Sequence, residues 1–417
     1  MSMISPYMLE GIELTKSVMA DQEATATGGI VNFKIKKAPD EPSFNVVAQG
    51  GMNDLRDTYQ NYKLSLGGSH RFYENMLGLY AQVDYEEKDA GSQQLGGVTF
   101  FQENEQAPVR TNSMQLMDIF RHFQRLGGVM VLDYMLPSTE IKLSNFASRI
   151  QRQETRYVNN YGFFDQNFGI NYADTPGSHL TVLINSLTVD HQWKNWEFKT
   201  AFSHSYSENI LPDRITSENS NSPQSPFPAD RKANYNVNLD PETIPYLLTV
   251  SMDEAVNFMD LGGIAHEESE TRERDLTGAV NLAYSLNLSD QVNMKISFGG
   301  KYRHKTKQYD RTDWEEGTSQ IFRNMIIDDF KDELCQRTLN AWDADNMRIL
   351  LIDFFDEDYK GGDFLDGKYN FGNIFDKQKF RRIHELVKAE WDPSRNGFLR
   401  YSSTEFHYFQ LPGLSWT

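Results

Sequence analysis

Long runs of alternating apolar and polar residues constrain this chain more than any other feature. In the run LGLYAQVDYE, which begins at Leu77, side chains of the two kinds alternate with a period of two. Successive side chains of a β-strand point to opposite faces, so this period indicates strands with one apolar face and one polar face. We count nine such runs over residues 44–302 and a tenth over 398–409. The sequence therefore predicts an all-β fold of antiparallel strands.

The composition suits strands that need only one apolar face. Hydrophobic residues make up 39% of the chain and the mean hydropathy is −0.60, yet aromatic residues reach 13%. This balance is unusual for a globular core and is typical of membrane-crossing strands with aromatic borders. The net charge of −18 argues against nucleic acid as a partner. No run approaches the ~20 apolar residues of a membrane-spanning helix.

Short and long connections alternate between the predicted strands. Tight turns are expected near residues 70–75, 136–140, 193–196 and 288–292. Long polar segments are expected to form loops at residues 87–124, 150–178, 207–273 and 304–397. An outer-membrane β-barrel has short turns at one rim and long loops at the other, whereas a soluble sandwich has no reason for this asymmetry. The pattern favours a transmembrane β-barrel over the alternative, a soluble β-sandwich or solenoid.

The N-terminal 39 residues form a separate unit in the pattern. Two short strands are predicted over residues 11–16 and 30–36, and a polar segment of small residues joins them. The pair Gly28 and Gly29 precedes the second strand, where glycine can adopt positive φ at little cost. Pro39 then ends the unit. We therefore expect a boundary close to residue 40.

The segments GIELTK and GGIVNFKIKKAP carry a motif of this unit. They resemble the C-terminal end of the plug domain of TonB-dependent outer-membrane receptors, and the segments from FNVVAQGGMNDL onward resemble the first barrel strands of that family. The residues that match the plug motif, with an expected structural or gating role, are Gly11, Glu13, Lys16, Gly28, Gly29, Val31 and Asn32.

The resemblance implies a plug inside a 22-stranded barrel. Residues 1–39 would be the C-terminal part of the plug, and residues 43–417 the N-terminal portion of an antiparallel transmembrane β-barrel with long extracellular loops. About ten of the 22 strands are present, and neither a signal peptide nor a TonB-contacting segment precedes the plug. The chain is therefore expected to be a fragment of a receptor of the cell outer membrane.

The family binds and imports scarce nutrients such as iron chelates, cobalamin or glycans, with energy transduced by the TonB complex. The resemblance thus implies as partners the TonB complex, through the missing N-terminal segment, outer-membrane lipid and a nutrient ligand. It implies no cofactor and no catalysis. The alternative function is that of a soluble or surface-exposed β-protein that binds glycans.

Two groups of residues in the last long segment are candidates for ligand or metal contacts. Aromatic side chains in loops often capture ligands, and the candidates of this kind are Trp314, Trp342 and Tyr359. The acidic residues Asp356, Asp358 and Asp363 form a weak Ca²⁺ candidate. Their spacing matches no EF-hand, because no glutamate lies at the twelfth position, and a solvated acidic loop is the favoured interpretation.

Two histidine–glutamate pairs begin like a zinc-protease motif. They start at His266 and His384, and neither has the second histidine four residues after the first. The sequence contains no nucleophile elbow and no phosphate-binding loop. It therefore predicts no catalytic residue and no firm metal site, and the chain is not expected to be an enzyme.

Overall fold

The chain forms one large antiparallel sheet, a small N-terminal hairpin and a helical segment, as seen in a computed structural model. The structure describes residues 3–16, 29–100, 110–162, 167–220, 259–289, 292–316, 320–342, 348–359, 363–390, 397–410 and 415–416. The strands are β1 Leu9–Thr15, β2 Ile30–Ile35, β3 Ser43–Asn53, β4 Thr58–Phe72, β5 Leu77–Asp89, β6 Ser92–Phe100, β7 Arg110–Leu136, β8 Thr139–Gly162, β9 Asn167–Trp193, β10 Trp196–Ser220, β11 Gly263–Ser289, β12 Val292–Glu316, β13 Gly397–Gln410 and β14 Ser415–Trp416.

The large sheet contains a path of ten strands in chain order, from β3 to β13, and it is not closed. Strand β6 continues β5 along the same neighbour, β7, and β14 adds a short pair to β12. The prediction of an all-β fold with ten long antiparallel strands is confirmed. The hairpin of β1 and β2 forms a separate two-stranded sheet.

Three of the four predicted tight turns are present. They join β4 to β5 over residues 73–76, β7 to β8 over residues 137–138, and β9 to β10 over residues 194–195. Residue Lys194 has a positive φ of 54°, as the tight turn of a twisted hairpin requires. The fourth turn includes residues 290–291, which lie outside the described residues.

The prediction that the long polar segments form loops is wrong in large part, because most of their described residues extend the strands. Strands β7 to β12 run for 24 to 27 residues, well beyond the ~9–11 that cross a bilayer. Backbone hydrogen bonds do not depend on side-chain polarity, and cross-strand ion pairs support these extensions. One such pair joins Arg303 to Asp275 at 2.5 Å, and another joins Lys305 to Glu273 at 2.8 Å.

The sheet has one face on which polar side chains are buried near the tight turns. This polar face carries Ser65, Gln82, Asp84, Arg125, Asp133 and Ser148, all of them buried. The N-terminal segment covers it, through Met8 of the 3₁₀ turn Pro6–Met8 and through Ile35 of β2. Hydrophobic contacts with Tyr80, Val129 and Val131 complete this small core.

On the opposite face, the same part of the sheet near the tight turns carries exposed hydrophobic side chains. We call this set the apolar band, and its members are Val46, Leu64, Leu66, Val83, Leu126, Met130, Leu187, Phe202, Leu276, Val280, Phe298 and Tyr302. The register places them on one side of the sheet, since Val46 opposes Leu66, and Leu66 opposes Val83. On β7 the exposed hydrophobic side chains of this face are Phe120, Leu126, Met130, Tyr134 and Leu136. The part from Leu126 to Leu136 has the length that crosses a bilayer.

A helical layer covers the far end of the face that bears the apolar band. On β7 the buried residues change from odd-numbered positions, such as 125 and 129, to the even-numbered positions 114, 116 and 118. The helical layer and the N-terminal segment therefore lie on opposite faces of the sheet. Between the apolar band and the helical layer, β11 presents the charged residues Glu268, Glu270, Arg272 and Arg274 on the same face.

The helical layer is the segment between β12 and β13. Its helices are α1 Gln320–Phe330, α2 Gln336–Ala341, α3 Phe364–Gly367 and α4 Lys377–Glu390, with a 3₁₀ turn at Leu351–Phe354. Phenylalanine side chains of this layer pack on Tyr172 and other aromatic residues of the strands to form the largest hydrophobic core of the described chain. Among the described residues, no helix is both long and apolar enough to cross a membrane.

Candidate functional site

The polar face near the tight turns holds the N-terminal segment through buried polar contacts. The Arg71 guanidinium lies 2.5 Å from the Asp133 carboxylate, and both side chains are almost fully buried. Arg71 also donates a hydrogen bond of 3.2 Å to the carbonyl oxygen of Ala38. Ser5 donates one of 3.0 Å to the buried Asp84 carboxylate. Charged groups of the sheet therefore fix the chain on both sides of the hairpin.

A cavity of about 990 Å³ lies between the hairpin and the polar face. Residues of β2 and the segment after it line one side, including Lys34, Lys36 and Lys37. Small hydroxyl side chains of the sheet, such as Ser144 and Ser186, line the other. Because lysine amines and hydroxyl groups line this cavity, it can hold water and can bind anionic or hydroxylated groups.

The described residues of the plug motif meet in the hairpin. Glu13 opposes Asn32 across the strand pair, accepts a hydrogen bond of 3.3 Å from it, and forms an ion pair of 2.5 Å with Lys34. The contact with Lys34 lowers the pKa of Glu13. Gly11 opposes Lys34 and Lys16 follows the end of β1, whereas Gly28 lies outside the described residues.

The remaining two motif positions are Gly29, just before β2, and Val31, on an exposed side of the hairpin. Gly29 has a φ of 125°, which only glycine adopts without strain. Val31 lies beside Phe33 on an exposed apolar side of the hairpin, across from Ile12 and Leu14. The described motif residues therefore lie in or next to one hairpin, while their structural and gating roles stay predictions.

The helical layer is fixed to the sheet by buried carboxylates. Asp174, on β9, is fully buried and contacts Lys377 at 2.8 Å and Arg381 at 2.5 Å, both on α4. Asp118, on β7, pairs with Arg56 and accepts a hydrogen bond of 2.8 Å from the Tyr359 hydroxyl. Burial and the nearby Asp118 raise the pKa of Tyr359. These contacts hold the layer by charge as well as by hydrophobic packing.

Two buried histidines meet where α4 lies against β11. Nδ1 of His266 lies 2.9 Å from Nε2 of His384, and the ring plane of Trp314 lies within 17° of both imidazole planes. Burial lowers the pKa of His266, and burial together with the neighbouring His266 lowers the pKa of His384 to about 4. Both rings are therefore neutral at pH 7 and able to act as metal ligands.

The carboxylate of Asp213 completes this group. Its donor atoms and those of the two histidines lie within 4.8 Å of one another. Lys388, on α4, donates a hydrogen bond of 2.6 Å to Asp213 and lowers the pKa of that carboxyl group. Among the described residues, this is the group whose histidine and acidic side chains converge closely enough to hold a metal ion.

Comparisons with known proteins give a weak structural likeness. No family model matches the chain, and no curated protein matches its sequence. A solved structure, the siderophore receptor PiuA from Acinetobacter baumannii, is similar with a TM-score of 0.26 and 10% identity. The overlap covers 76% of this chain and 60% of the receptor, which is less than two thirds of the receptor's length. At this TM-score the overlap is no evidence of a shared fold or function.

The predicted ligand contacts lie in or beside the core of the helical layer. Trp314 is only 5% exposed and packs over the two histidines, so its side chain is not on a loop surface. Trp342 and Tyr359 are partly buried and pack against the same core. A role of these residues in ligand capture stays a prediction, but in this arrangement their described contacts are structural.

The weak calcium candidate is not assembled. Asp356 accepts a hydrogen bond of 3.0 Å from the backbone N–H of Asp358, a local turn contact. Within the described part of the chain, these two carboxylates and Asp363 do not converge on a common point. The solvated acidic loop is therefore the better interpretation of this segment.

No local sequence motif identifies the histidine group. His266 and His384 are 118 residues apart and lie on a strand and a helix. The sequence feature they share is a following glutamate: Glu267 and Glu268 follow His266, and Glu385 follows His384. Only the packing of α4 on β11 brings them together.

Proposed function

We propose that this chain is part of a TonB-dependent outer-membrane receptor, in which the apolar band contacts lipid. The observation that carries this proposal is the reversed burial of the sheet: near the tight turns, polar side chains are covered and hydrophobic side chains are exposed. A soluble sheet gains stability by the opposite arrangement, since burial of apolar surface drives folding. Lipid is the surrounding in which an exposed face of this kind is favourable.

The receptor would bind a scarce nutrient and import it with energy from the TonB complex. Support for this comes from the motif residues Glu13, Gly29 and Asn32, which form the hairpin that the resemblance describes as the end of a plug. The iron chelate, cobalamin and glycan classes all remain candidates for the nutrient. The cavity between the hairpin and the polar face is lined by groups that can contact each of these polar ligands.

The proposal is tested by fractionation of the cells that make the protein. We expect it in the outer membrane, released by detergent and not by salt, with migration in gels that changes on heating. Loss of the protein should also abolish energy-dependent uptake of one nutrient from a panel of labelled iron chelates, cobalamin and oligosaccharides. Recovery in a soluble fraction without detergent, with binding to glycans, would instead establish the alternative function.

A further inference from the structure

We propose that Asp213, His266 and His384 form a binding site for a divalent transition-metal ion of the Zn²⁺ type. The bound ion would join α4 to strands β10 and β11 and so lock the helical layer onto the sheet. Two imidazole nitrogens and one carboxylate oxygen, with water as a fourth ligand, are a donor set that zinc accepts. The inference does not depend on transport, because the site lies between the helical layer and the sheet, away from the cavity beside the hairpin.

The fold places Asp213 in the site by means of a bulge in β10. The register between β10 and β11 shifts between Leu211 and Arg214, so that Pro212 and Asp213 together face the single residue Glu268. Asp213 has a positive φ of 42° at this point. A bulge re-aims side chains on a strand, and here the Asp213 carboxylate reaches the two histidines.

The two imidazoles are oriented as metal ligands usually are. The outer nitrogens face carboxylates: Nε2 of His266 lies 3.7 Å from Glu268, and Nδ1 of His384 lies 3.6 Å from Glu385. In metal sites, a carboxylate at the outer nitrogen favours the tautomer that leaves the inner nitrogen free to bind the ion. The sequence pattern noted for both histidines thus has a structural meaning.

The inner nitrogens need only a small movement to share an ion. They are 2.9 Å apart, whereas two Zn–N bonds of about 2.0–2.1 Å at a tetrahedral angle place the nitrogens roughly 3.3 Å apart. Trp314 covers both rings on one side. The Asp213 side chain is 45% exposed, which leaves a path for the ion and for a bound water.

Lys388 opposes binding, and this gives the site a sensitive test. Its ammonium group occupies one side of the Asp213 carboxylate at 2.6 Å, so a metal ion must bind beside a positive charge. Removal of that charge should strengthen the binding of the metal ion. If the contact between α4 and β10 were only structural, the same change would weaken the contact and would not create tighter metal binding. The substitution therefore separates a metal site from a packing interface.

The test is a Zn²⁺ titration of the purified, chelator-treated protein in detergent, with a competing chromophoric chelator. We expect one ion per chain, and cobalt in place of zinc should give the visible absorption bands of a tetrahedral site. His266→Ala and His384→Ala should each weaken Zn²⁺ binding more than about 100-fold, beyond the loss seen when only an outer partner is removed. His204→Ala is the matched control, because His204 contacts Asn185 on the sheet and no member of the site.

Lys388→Met should tighten Zn²⁺ binding about fivefold, because it removes the repulsion of one unit charge close to the ion in a site that is open to solvent. Circular dichroism identifies variants that fail to fold, and Lys388→Met then decides the question by itself. Absence of Zn²⁺ binding to the wild-type protein would overturn the proposal. So would wild-type affinity in either histidine variant, or unchanged or weaker binding in Lys388→Met.

Discussion

At the scale of single residues, the fold depends on charged side chains that are buried and paired. Asp84, Asp118, Asp133 and Asp174 are fully buried. Each contacts a donor from another part of the chain, and for Asp118, Asp133 and Asp174 that donor is a cation. Such pairs add little to stability when intact but are costly to break, because the remaining charge is left in a low-dielectric site. They therefore specify which segment covers which part of the sheet.

Replacement of Arg71 by methionine should expose this cost. The substitution leaves Asp133 buried without its cation and removes the hydrogen bond to the Ala38 carbonyl. We expect a loss of about 3–5 kcal/mol in the free energy of unfolding, measured by urea denaturation in detergent micelles. Arg272→Met is the matched control, since Arg272 pairs with Glu208 and Glu270 at the surface. Equal effects of the two substitutions would contradict this account.

The contact between His266 and His384 should make stability depend on pH. Burial lowers both pKa values, that of His384 to about 4, whereas an unfolded histidine titrates near 6.5. The unfolded chain therefore binds protons first, so the free energy of unfolding falls as the pH drops from about 6.5 to about 4. Above this window both states are neutral and the contribution is constant.

This dependence is measured as the difference in Tm between the wild-type protein and His384→Gln, with a chelator present at every pH. We expect the wild-type protein to lose stability relative to the variant on acidification through the window. Parallel curves for the two proteins would show that the histidine pair is not buried as described.

At the scale of elements, the hairpin of β1 and β2 shows how a short motif acts through backbone geometry. Gly29 immediately precedes β2 and has a φ of 125°, and a Cβ at this position would lie 2.8 Å from the carbonyl oxygen of Thr15. Any other residue must shift the pairing of the two strands. The glycine is therefore a requirement of the hairpin itself.

Gly29→Ala should open this hairpin. The strain of a positive φ costs about 1–3 kcal/mol, so the backbone amides of β1 and β2 should exchange with deuterium roughly 5- to 150-fold faster. Gly11→Ala is the matched control, because a Cβ at Gly11 meets no atom within 4 Å. Equal exchange in both variants would show that Gly29 is replaceable.

The strands were predictable from sequence only where their side chains alternate. The run from Leu77 shows a period of two because one face is apolar, and β5 begins at that residue. The extension of β12 through Lys305, Lys307 and Asp313 has charges in place of an apolar face, so it resembles a loop in sequence. Its pairing comes from backbone hydrogen bonds and from cross-strand charges, which a hydrophobic period does not report.

The candidate metal site was unpredictable for a related reason. Its members come from a bulge in β10, a strand and a helix, and none of the three lies within a local motif. The position of helix α4 on β11 depends on Asp174 and on the hydrophobic core of the helical layer. Long-range packing of this kind leaves little local signal.

At the scale of the whole molecule, the N-terminal segment, the helical layer and the apolar band occupy different regions of the sheet. The N-terminal segment covers the polar face near the tight turns, and the helical layer covers the far end of the other face. Charged residues of β11 separate the helical layer from the apolar band. We call these charged residues the charged belt, and the order of apolar band, charged belt and helical layer along one face supports the proposed placement in a membrane, with the helical layer in water.

The contact of the apolar band with lipid is the central claim, and spin-label accessibility in membranes tests it most directly. In a Cys335→Ser background, single labels at Leu66, Val83 and Met130 should collide more often with oxygen than with a water-soluble nickel chelate. A label at Glu208, which pairs with Arg272 of the charged belt, should show the reverse. If the three labels of the apolar band were as accessible to the nickel chelate as the label at Glu208, the band would face water and the membrane placement would be wrong.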